Sequence, residues 1–207
     1  PFSVDGQELR LSATSGLISL AGNTDRAVEI MKNTGVALKQ AKSFRRGKAM
    51  FYEPAHAIEA RDRMRLLNSL RQAFSADHLF LQYQPFIDLG TGRVVGAEAL
   101  LRWKTEEGQF VPPDRFIPLA EQSGLMVALG NWVMRSALQF LARLHSEGVS
   151  DFRMAINVSH VQFREPDFVE KLAAAIVECQ VDPSSVEIEL TESVAIENFA
   201  LIEQKLV

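Results

Sequence analysis

Apolar and polar residues alternate in short runs from Leu79 onward, and longer segments with apolar residues at helical spacing separate these runs. The pattern predicts four strands and four helices. The strands are expected at 79–88, 93–103, 152–159 and 185–191, and the helices at 114–122, 126–147, 167–180 and 194–206. A short Gly-Thr-Gly turn cannot hold a parallel crossover, so the first two strands are predicted to pair antiparallel. The later strand–helix units indicate a parallel sheet covered by helices, an α/β fold.

The first part of the chain follows a different pattern. Residues 1–20 are predicted to form a hairpin that turns at Asp5-Gly6 and continues as a long strand from Leu9 to Leu20. A helix is expected from Arg26, with a break around 33–35 where the apolar spacing fails.

A third helical pattern, at 57–74, joins the two parts and has a narrow apolar stripe among alternating charges. This helix is either a simple connection or a surface that packs on a second copy, and both interpretations stay open. The predicted segments are therefore 1–55, a connecting helix at 56–76, and the α/β part at 77–207.

Composition narrows the class of protein. With 47% hydrophobic and 23% charged residues the chain is expected to fold, and a net charge of -4 gives no reason to expect binding to a nucleic acid polymer. No apolar run was expected to be long enough to cross a bilayer, so no membrane contact is predicted within this segment. The single cysteine, Cys179, cannot form an internal disulfide. This fits a cytoplasmic protein or the cytoplasmic part of a membrane-anchored sensor.

Polar side chains share one face of each predicted strand in the α/β part. The residues on this face are Gln82 and Gln84, then Glu98, Leu100 and Arg102, then Ala155, Asn157 and Ser159, and then Glu187, Glu189 and Thr191. The opposite faces are mostly apolar, as expected where helices cover a sheet. Polar groups toward the C-terminal ends of parallel strands are typical of a barrel interior that carries an active site.

Each of these residues also has an ordinary structural interpretation. Glu187 and Glu189 would alternate in this way on any half-exposed antiparallel strand, and Asn157 could close a turn. Glutamine, glutamate, asparagine and glutamate occur at comparable heights on the four strands. This common placement favours a functional site over four separate structural roles. Hard divalent cations prefer carboxylate and amide oxygens, and the sequence offers no His or Cys cluster that would suggest zinc. Arg102 adds the planar fork that suits a phosphate.

Several motifs in this part carry a family resemblance. They are Gln84-Pro85, Glu98-Ala99-Leu100, Leu101-Arg102-Trp103, Phe116-Ile117-Pro118-Leu119-Ala120-Glu121, Asn157-Val158-Ser159 and Glu189-Leu190-Thr191-Glu192-Ser193. Together they resemble EAL domains, the bacterial phosphodiesterases of cyclic di-GMP. The resemblance implies an incomplete (β/α)8 TIM-like barrel with an antiparallel first strand.

The resemblance also implies roles for individual residues. Glu98, Asn157 and Glu189 match positions that bind catalytic Mg²⁺ or Mn²⁺ in a two-metal site. Glu98 and Glu192 form the expected catalytic set. Glu192 matches a residue that holds a nearby loop and the metal network in shape. Gln84, the Leu100 backbone and Arg102 match positions that hold the cyclic dinucleotide. Further ligands of the family, including an Asp-Asp pair, a Lys and a Glu general base, are expected beyond residue 207.

A second resemblance covers the first part of the chain. Ser15-Gly16, Ala37-Leu38, Ala41-Lys42 and Arg46-Gly47-Lys48 resemble the C-terminal half of a GGDEF domain, the α+β diguanylate cyclase module. The Gly-Gly-Asp-Glu-Phe motif itself does not occur in this sequence. Gly35 and Lys39 stand where that family usually has Asp and Tyr, which argues against cyclase activity. Lys42 and Arg46 match phosphate contacts of the family or are simply solvated.

Three functions follow from these resemblances and remain open at this point. The first is a metal-dependent phosphodiesterase that hydrolyses cyclic di-GMP to linear pGpG. The second is a catalytically inactive cyclic di-GMP receptor, and the third is a weakly active bifunctional cyclase–phosphodiesterase. The expected partners are cyclic di-GMP and a second copy, through the EAL domain or the connecting helix. Residues 1–207 alone are expected to be neither active nor a stable monomer, because only about half of an eight-stranded barrel is present.

Overall fold

The chain divides into two compact units, residues 1–66 and residues 67–207. The structure, a computed structural model, describes residues 2–4, 7–9, 11–20, 26–44 and 46–190. The predicted helix at 194–206 lies outside the described residues.

The described residues of the first unit form two pairs of short strands, a long helix and the beginning of a second helix. β1 (Phe2–Val4) pairs antiparallel with β2 (Gln7–Leu9), β3 (Ser15–Leu17) pairs parallel with β4 (Ala49–Phe51), and α1 spans Ala27–Phe44. The helix lies so close to β3 that a Cβ on Gly16 would clash with the backbone nitrogen of Leu38. Only a residue without a side chain permits this approach.

The expectation of one long strand from Leu9 to Leu20 is wrong. Residues 11–14 have no regular structure and separate β2 from β3. Here the hydroxyl of Thr14 accepts a hydrogen bond of 2.9 Å from the amide of Gly47, so a side chain satisfies that amide instead of a strand carbonyl. The Asp5-Gly6 turn lies outside the described residues.

The expected helix break around 33–35 is also wrong, because α1 continues through these residues. The hydroxyl of Thr34 donates to the carbonyl of Ile30 at 2.7 Å, a local bond that is compatible with helical backbone. Packing on β3 overrides the weak helical propensity of Asn33, Thr34 and Gly35.

The helix predicted at 57–74 is present as α2 (Pro54–Ser75). Near its C-terminal end, in the second unit, Phe74 packs edge-on against Trp132 with ring centroids 6.3 Å apart. Toward its N-terminal end, Ile58 and Met64 are 60% and 54% exposed. The apolar stripe is therefore covered within the described residues only at its C-terminal end.

The second unit is a five-stranded mixed sheet with helices on one side. The strand order is β5-β6-β8-β9, with the short β7 paired to β6. The strands are β5 (Leu79–Ile87), β6 (Val94–Lys104), β7 (Phe110–Val111), β8 (Arg153–Val158) and β9 (Val186–Leu190). The helices are α3 (Pro113–Ser123), α4 (Leu125–Ser146), α5 (His160–Phe163) and α6 (Phe168–Cys179), with a 3₁₀ turn at Pro183–Ser185.

The pairing of these strands agrees with the pattern in the sequence. β5 and β6 are antiparallel, as the short turn predicts, and β8 pairs parallel with both β6 and β9. The predicted apolar face is the helix-covered one, where Ala97, Ala99, Trp103, Met154 and Ile156 are all buried. The polar face is thereby left open for chemistry.

Helix α4 supplies much of the helix layer. By length and composition alone it would suffice to span a membrane, so the expectation that no segment passes that test is wrong. Eight of its residues are buried, among them Leu129, Val133 and Leu141, and Phe140 stacks on Tyr83 of β5 at 3.9 Å. An apolar helix of this kind is also typical of a protein core.

Gly96 of β6 lies directly against Arg153 of β8. A Cβ at this position would lie 2.7 Å from the carbonyl oxygen of Arg153 and 3.2 Å from the ring of Phe86. We expect Gly96→Ala to push β8 away from β6 and to lower the free energy of unfolding by ~1–3 kcal/mol, the range for overpacking. Chemical unfolding of the full-length protein measures this change.

Gly90→Ala is the matched control. A Cβ at Gly90 would have its nearest contact at 3.5 Å, to the carboxylate of Asp88, which is ordinary packing. Both substitutions restrict the unfolded chain equally, and Gly90 has room for a methyl group. We therefore expect Gly90→Ala to leave stability unchanged or to raise it by up to ~1 kcal/mol. Equal effects of the two substitutions would contradict the tight β6–β8 packing.

Candidate active site

Three of the candidate ligands lie on one face of three neighbouring strands. In the parallel register Ala155 lies opposite Glu98 on β6 and opposite Glu187 on β9, and Asn157 lies opposite Glu189. Residues opposite one another in a ladder point to the same side of the sheet. The register therefore brings together the three residues for which the family resemblance implies a role as metal ligands.

The closest contact in the cluster joins Asn157 to Glu98. The side-chain amide of Asn157 donates to Oε1 of Glu98 at 2.5 Å. Glu98 is half-buried and Asn157 is exposed, so the pair lies at the boundary between the sheet and solvent. A carboxylate oxygen and an amide group are thus held side by side by backbone pairing.

The pKa of Glu189 is perturbed by its place in the cluster. Burial raises the pKa of Glu189 above its ordinary range, and the negative charges of Glu98 and Glu187 raise it further. Like charges on one face of the sheet disfavour the ionisation of Glu189, and a cation placed among the carboxylates would relieve the repulsion.

Glu187 has a cationic partner of its own. Its carboxylate pairs with the guanidinium of Arg153 at 2.9 Å. Ala155 presents only a methyl group between the carboxylates of Glu98 and Glu187, which leaves this part of the face open. Glu98 and Glu189 therefore remain the carboxylates that face the open side beside Asn157.

The predicted dinucleotide contacts lie on the same face. Arg102 donates from Nε to the side-chain oxygen of Gln82 at 2.9 Å and from Nη1 to the carbonyl of Leu101 at 3.0 Å. These two bonds fix the plane of the guanidinium. Gln84 is the cross-strand neighbour of Glu98, and Leu100 that of Gln82. Each residue that was predicted to contact the metal or the dinucleotide, and that lies within the described range, therefore occupies the polar face.

A pocket of ≈ 220 Å³ opens at the C-terminal ends of β6 and β8, against α3 and α4. Its walls include Leu100, Arg102, Ile117, Glu121, Asn157 and Ser159. The pocket is mostly apolar, with a few polar groups that could orient a ligand, as is usual for small-molecule sites.

One residue of the predicted polar face, Ser159, has a structural role instead. Ser159 is buried, and its hydroxyl accepts a hydrogen bond from the amide of Gln162, so it caps the first turn of α5. Glu192 lies outside the described residues, and so does Thr191. The proposed role of Glu192 stays a prediction.

The structure also adds residues to which the sequence pattern assigned no role. Glu121 on α3 lies 3.5 Å from Nδ1 of His160 at the start of α5, and Glu121 lines the pocket. The two residues are far apart in the sequence and on different helices, so no periodicity links them. The available signals for Glu121 were its place in the motif at 116–121 and its helical spacing from Ile117.

The donor set fits a divalent cation only when the amide is counted. Within the described part of the chain, no group of three or more His, Cys, Asp or Glu side chains is placed to hold a metal ion. The carboxylates of Glu98 and Glu189 together with the amide of Asn157 supply hard ligands of the kind that Mg²⁺ and Mn²⁺ prefer. The mutual repulsion of the carboxylates is a second sign that positive charge suits this position.

The fold and the face together define an α/β domain with an acidic site at the carboxyl ends of parallel strands. The chain belongs to the EAL domain family, whose model matches residues 67–206. It is 33% identical over 195 residues to the bifunctional diguanylate cyclase/cyclic di-GMP phosphodiesterase MucR of Pseudomonas aeruginosa, covering 94% of this chain and 28% of that protein. It is 32% identical over 198 residues to the cyclic di-GMP phosphodiesterase NbdA of the same organism, covering 96% of this chain and 25% of that protein.

A solved structure of a MucR phosphodiesterase in complex with c-di-GMP has the same fold. Its TM-score with this chain is 0.64 at 34% identity, covering 69% of this chain and 59% of that one. The chain thus spans between 25% and 28% of the length of these two curated relatives.

The raised pKa of Glu189 predicts a pH-dependent stability. Ionising Glu189 costs more in the folded state than in the unfolded state. Its stabilising contribution is therefore present below about pH 4, the ordinary glutamate range, and is lost as pH rises through the raised pKa. We expect Glu189→Gln to raise the melting temperature at pH 7.5 in the presence of a chelator, and to have no such effect near pH 3.5.

Thermal melts of full-length wild type and variant at both pH values measure this effect. Glu170→Gln is the control, because Glu170 is exposed in the first turn of α6, away from the cluster, and should give no gain. A destabilised Glu189→Gln at pH 7.5 would contradict the repulsion described here.

Proposed function

We propose that this chain is part of a metal-dependent phosphodiesterase that hydrolyses cyclic di-GMP to linear pGpG. The observation that carries the proposal is the Asn157–Glu98 hydrogen bond beside Glu189, inside the segment that matches the EAL family. Relatives named as cyclic di-GMP phosphodiesterases, each aligned over nearly all of this chain, support the substrate.

In this proposal Glu98, Asn157 and Glu189 hold Mg²⁺ or Mn²⁺, as part of a two-metal site in the complete domain. When bound there, divalent cations would supply the positive charge and the activation of water that two-metal hydrolysis of a phosphodiester requires. The negative charge of Glu98 and Glu189 is the protein's own contribution to binding the cations. Glu192 holds a neighbouring loop in place.

Substrate binding is assigned to the other end of the same face. The guanidinium of Arg102, oriented by Gln82 and the Leu101 carbonyl, offers its remaining N–H groups to a phosphate of the dinucleotide. Gln84 and the backbone of Leu100 position the dinucleotide between Arg102 and the acidic cluster. This order keeps the anionic substrate on the cationic residue and the scissile phosphate near the metals.

The wider architecture is part of the proposal. The sheet of the second unit is the first half of a (β/α)8 barrel, with β5 as its antiparallel first strand. Residues 1–55 are the C-terminal part of a GGDEF-like domain, 56–76 the connecting helix, and 77–207 the N-terminal part of the EAL domain. The name of the bifunctional relative MucR supports the GGDEF assignment.

The cellular location and the oligomeric state are proposed from the same assignment. The protein is a cytoplasmic signalling protein, in keeping with a free Cys179. It forms a homodimer through the EAL domain or through α2, where exposed Ile58 and Met64 offer apolar surface.

Glu98→Gln in the full-length protein tests the enzymatic proposal. We expect hydrolysis of cyclic di-GMP to fall by at least ~100-fold, because the variant loses a charged metal ligand, an interaction worth several kcal/mol. With a chelator present, the melting temperature should be unchanged or higher, since the variant also relieves repulsion with Glu189. Hydrolysis in Mg²⁺ or Mn²⁺ and thermal melts are measured side by side, with Glu170→Gln as the control.

The outcomes separate the candidate functions. Near wild-type hydrolysis by Glu98→Gln would contradict the metal-ligand assignment. Binding of cyclic di-GMP by the wild-type protein without any turnover would assign a receptor instead of an enzyme.

Arg102 tests substrate binding separately. We expect Arg102→Ala to weaken cyclic di-GMP binding by ~1.5–3 kcal/mol, the scale of a lost charge-assisted hydrogen bond. Arg102→Lys should recover only part of this loss, because Lys cannot reproduce the planar fork. Calorimetric titration with Ca²⁺ in place of Mg²⁺ measures binding without turnover, and an unchanged dissociation constant for Arg102→Ala would contradict the assignment.

A further inference from the structure

The polar face of β6 continues past Arg102 to an aromatic pair at its C-terminal end. Phe80 of β5 lies opposite Arg102, and Phe110 of β7 lies opposite Lys104. The two phenyl rings meet edge to face, with centroids 6.2 Å apart and an interplanar angle of 62°. This edge-to-face pair, defined by Phe80 and Phe110, is the aromatic platform.

We propose that the aromatic platform stacks one purine base of the cyclic dinucleotide, with Lys104 beside it. The inference deepens the proposed function and rests on it, because it names residues that select the base rather than the phosphate. Phe80 and Phe110 would then be base-binding residues of the site.

Exposure of the platform is the first argument. Phe110 is 59% exposed and Phe80 is half-buried, so part of the aromatic surface is uncovered on the same side as Arg102. An uncovered phenyl ring exposes apolar surface to water, and a flat base stacked on the ring would bury that surface. Stacking tolerates any base, since every base presents a π-face.

Spacing along β6 is the second argument. Arg102 is four residues beyond Glu98, or roughly 13 Å along an extended strand, and Lys104 is about 7 Å further. The order along the face is therefore acidic cluster, phosphate-binding arginine, aromatic platform. A nucleotide whose phosphate contacts Arg102 would carry its base toward the platform.

Charge at this end favours a base over a second phosphate. The ammonium group of Lys104 lies 5.8 Å from the centre of the Phe110 ring, a cation–π distance. The loop from β6 to β7 carries Glu106 and Glu107, both exposed. These two carboxylates disfavour a phosphate near the platform, whereas a purine with N–H donors is compatible with them.

The test is calorimetric titration of the full-length protein with cyclic di-GMP in Ca²⁺, which stops turnover. We expect Phe110→Ala to weaken binding about tenfold, toward the lower end for a lost base–aromatic contact because the ring is only partly covered. Phe110→Trp should bind at least as tightly as wild type, and the fluorescence of the new exposed indole should fall as ligand is added. Leu89→Ala is the control, since Leu89 is 97% exposed in the β5–β6 turn at the opposite end of the strand.

The outcomes distinguish this inference from the function on which it rests. A wild-type protein that does not bind cyclic di-GMP would overturn both. Wild-type binding with unchanged affinity in Phe110→Ala, or no ligand-dependent fluorescence change in Phe110→Trp, would overturn only the platform. Weaker binding in Leu89→Ala of the same size as in Phe110→Ala would also overturn it, because the loss would then not depend on the platform.

Discussion

The parallel register of β8 with β6 and β9 is the constraint on which the site depends. It sets Ala155 between Glu98 and Glu187 and places Asn157 beside Glu189. Because side chains alternate along a strand, a slip of one residue would turn Asn157 into the helix layer and bring apolar side chains to the open face. The buried apolar face resists such a slip, so the hydrophobic core fixes the chemistry on the other side of the sheet.

This register holds like charges together at a cost in stability. Glu98, Glu187 and Glu189 share one face, and within the described residues Arg153 pairs with Glu187. The repulsion that remains between Glu98 and Glu189 gives no structural benefit, and perturbed carboxylates of this kind cluster at functional sites. A bound divalent cation would reverse the sign of this interaction and make the same carboxylates stabilising.

Much of the second unit could be predicted from the sequence, because its strands and helices are determined by the pattern of neighbouring residues. The alternation of side chains along β6 and β8 predicted both the strand positions and the polar face. A strand with one apolar and one polar face is the usual structure behind such a pattern. The broken strand after Leu9 and the unbroken α1 could not be predicted, since both depend on packing between residues far apart in the chain. Likewise, Ser159 matches the alternation but caps α5, and contacts such as Glu121 with His160 arise only when separate elements meet.

The central claim is that Glu98, Asn157 and Glu189 together hold a divalent cation on the open face of the sheet. A crystal structure of the full-length protein with Mn²⁺ and cyclic di-GMP, with anomalous scattering measured at the manganese edge, tests this most directly. The account predicts an anomalous peak within coordination distance of oxygen atoms from all three side chains, with a phosphate of the dinucleotide next to it. A manganese peak elsewhere, or a dinucleotide bound away from the polar face of β6, would contradict it.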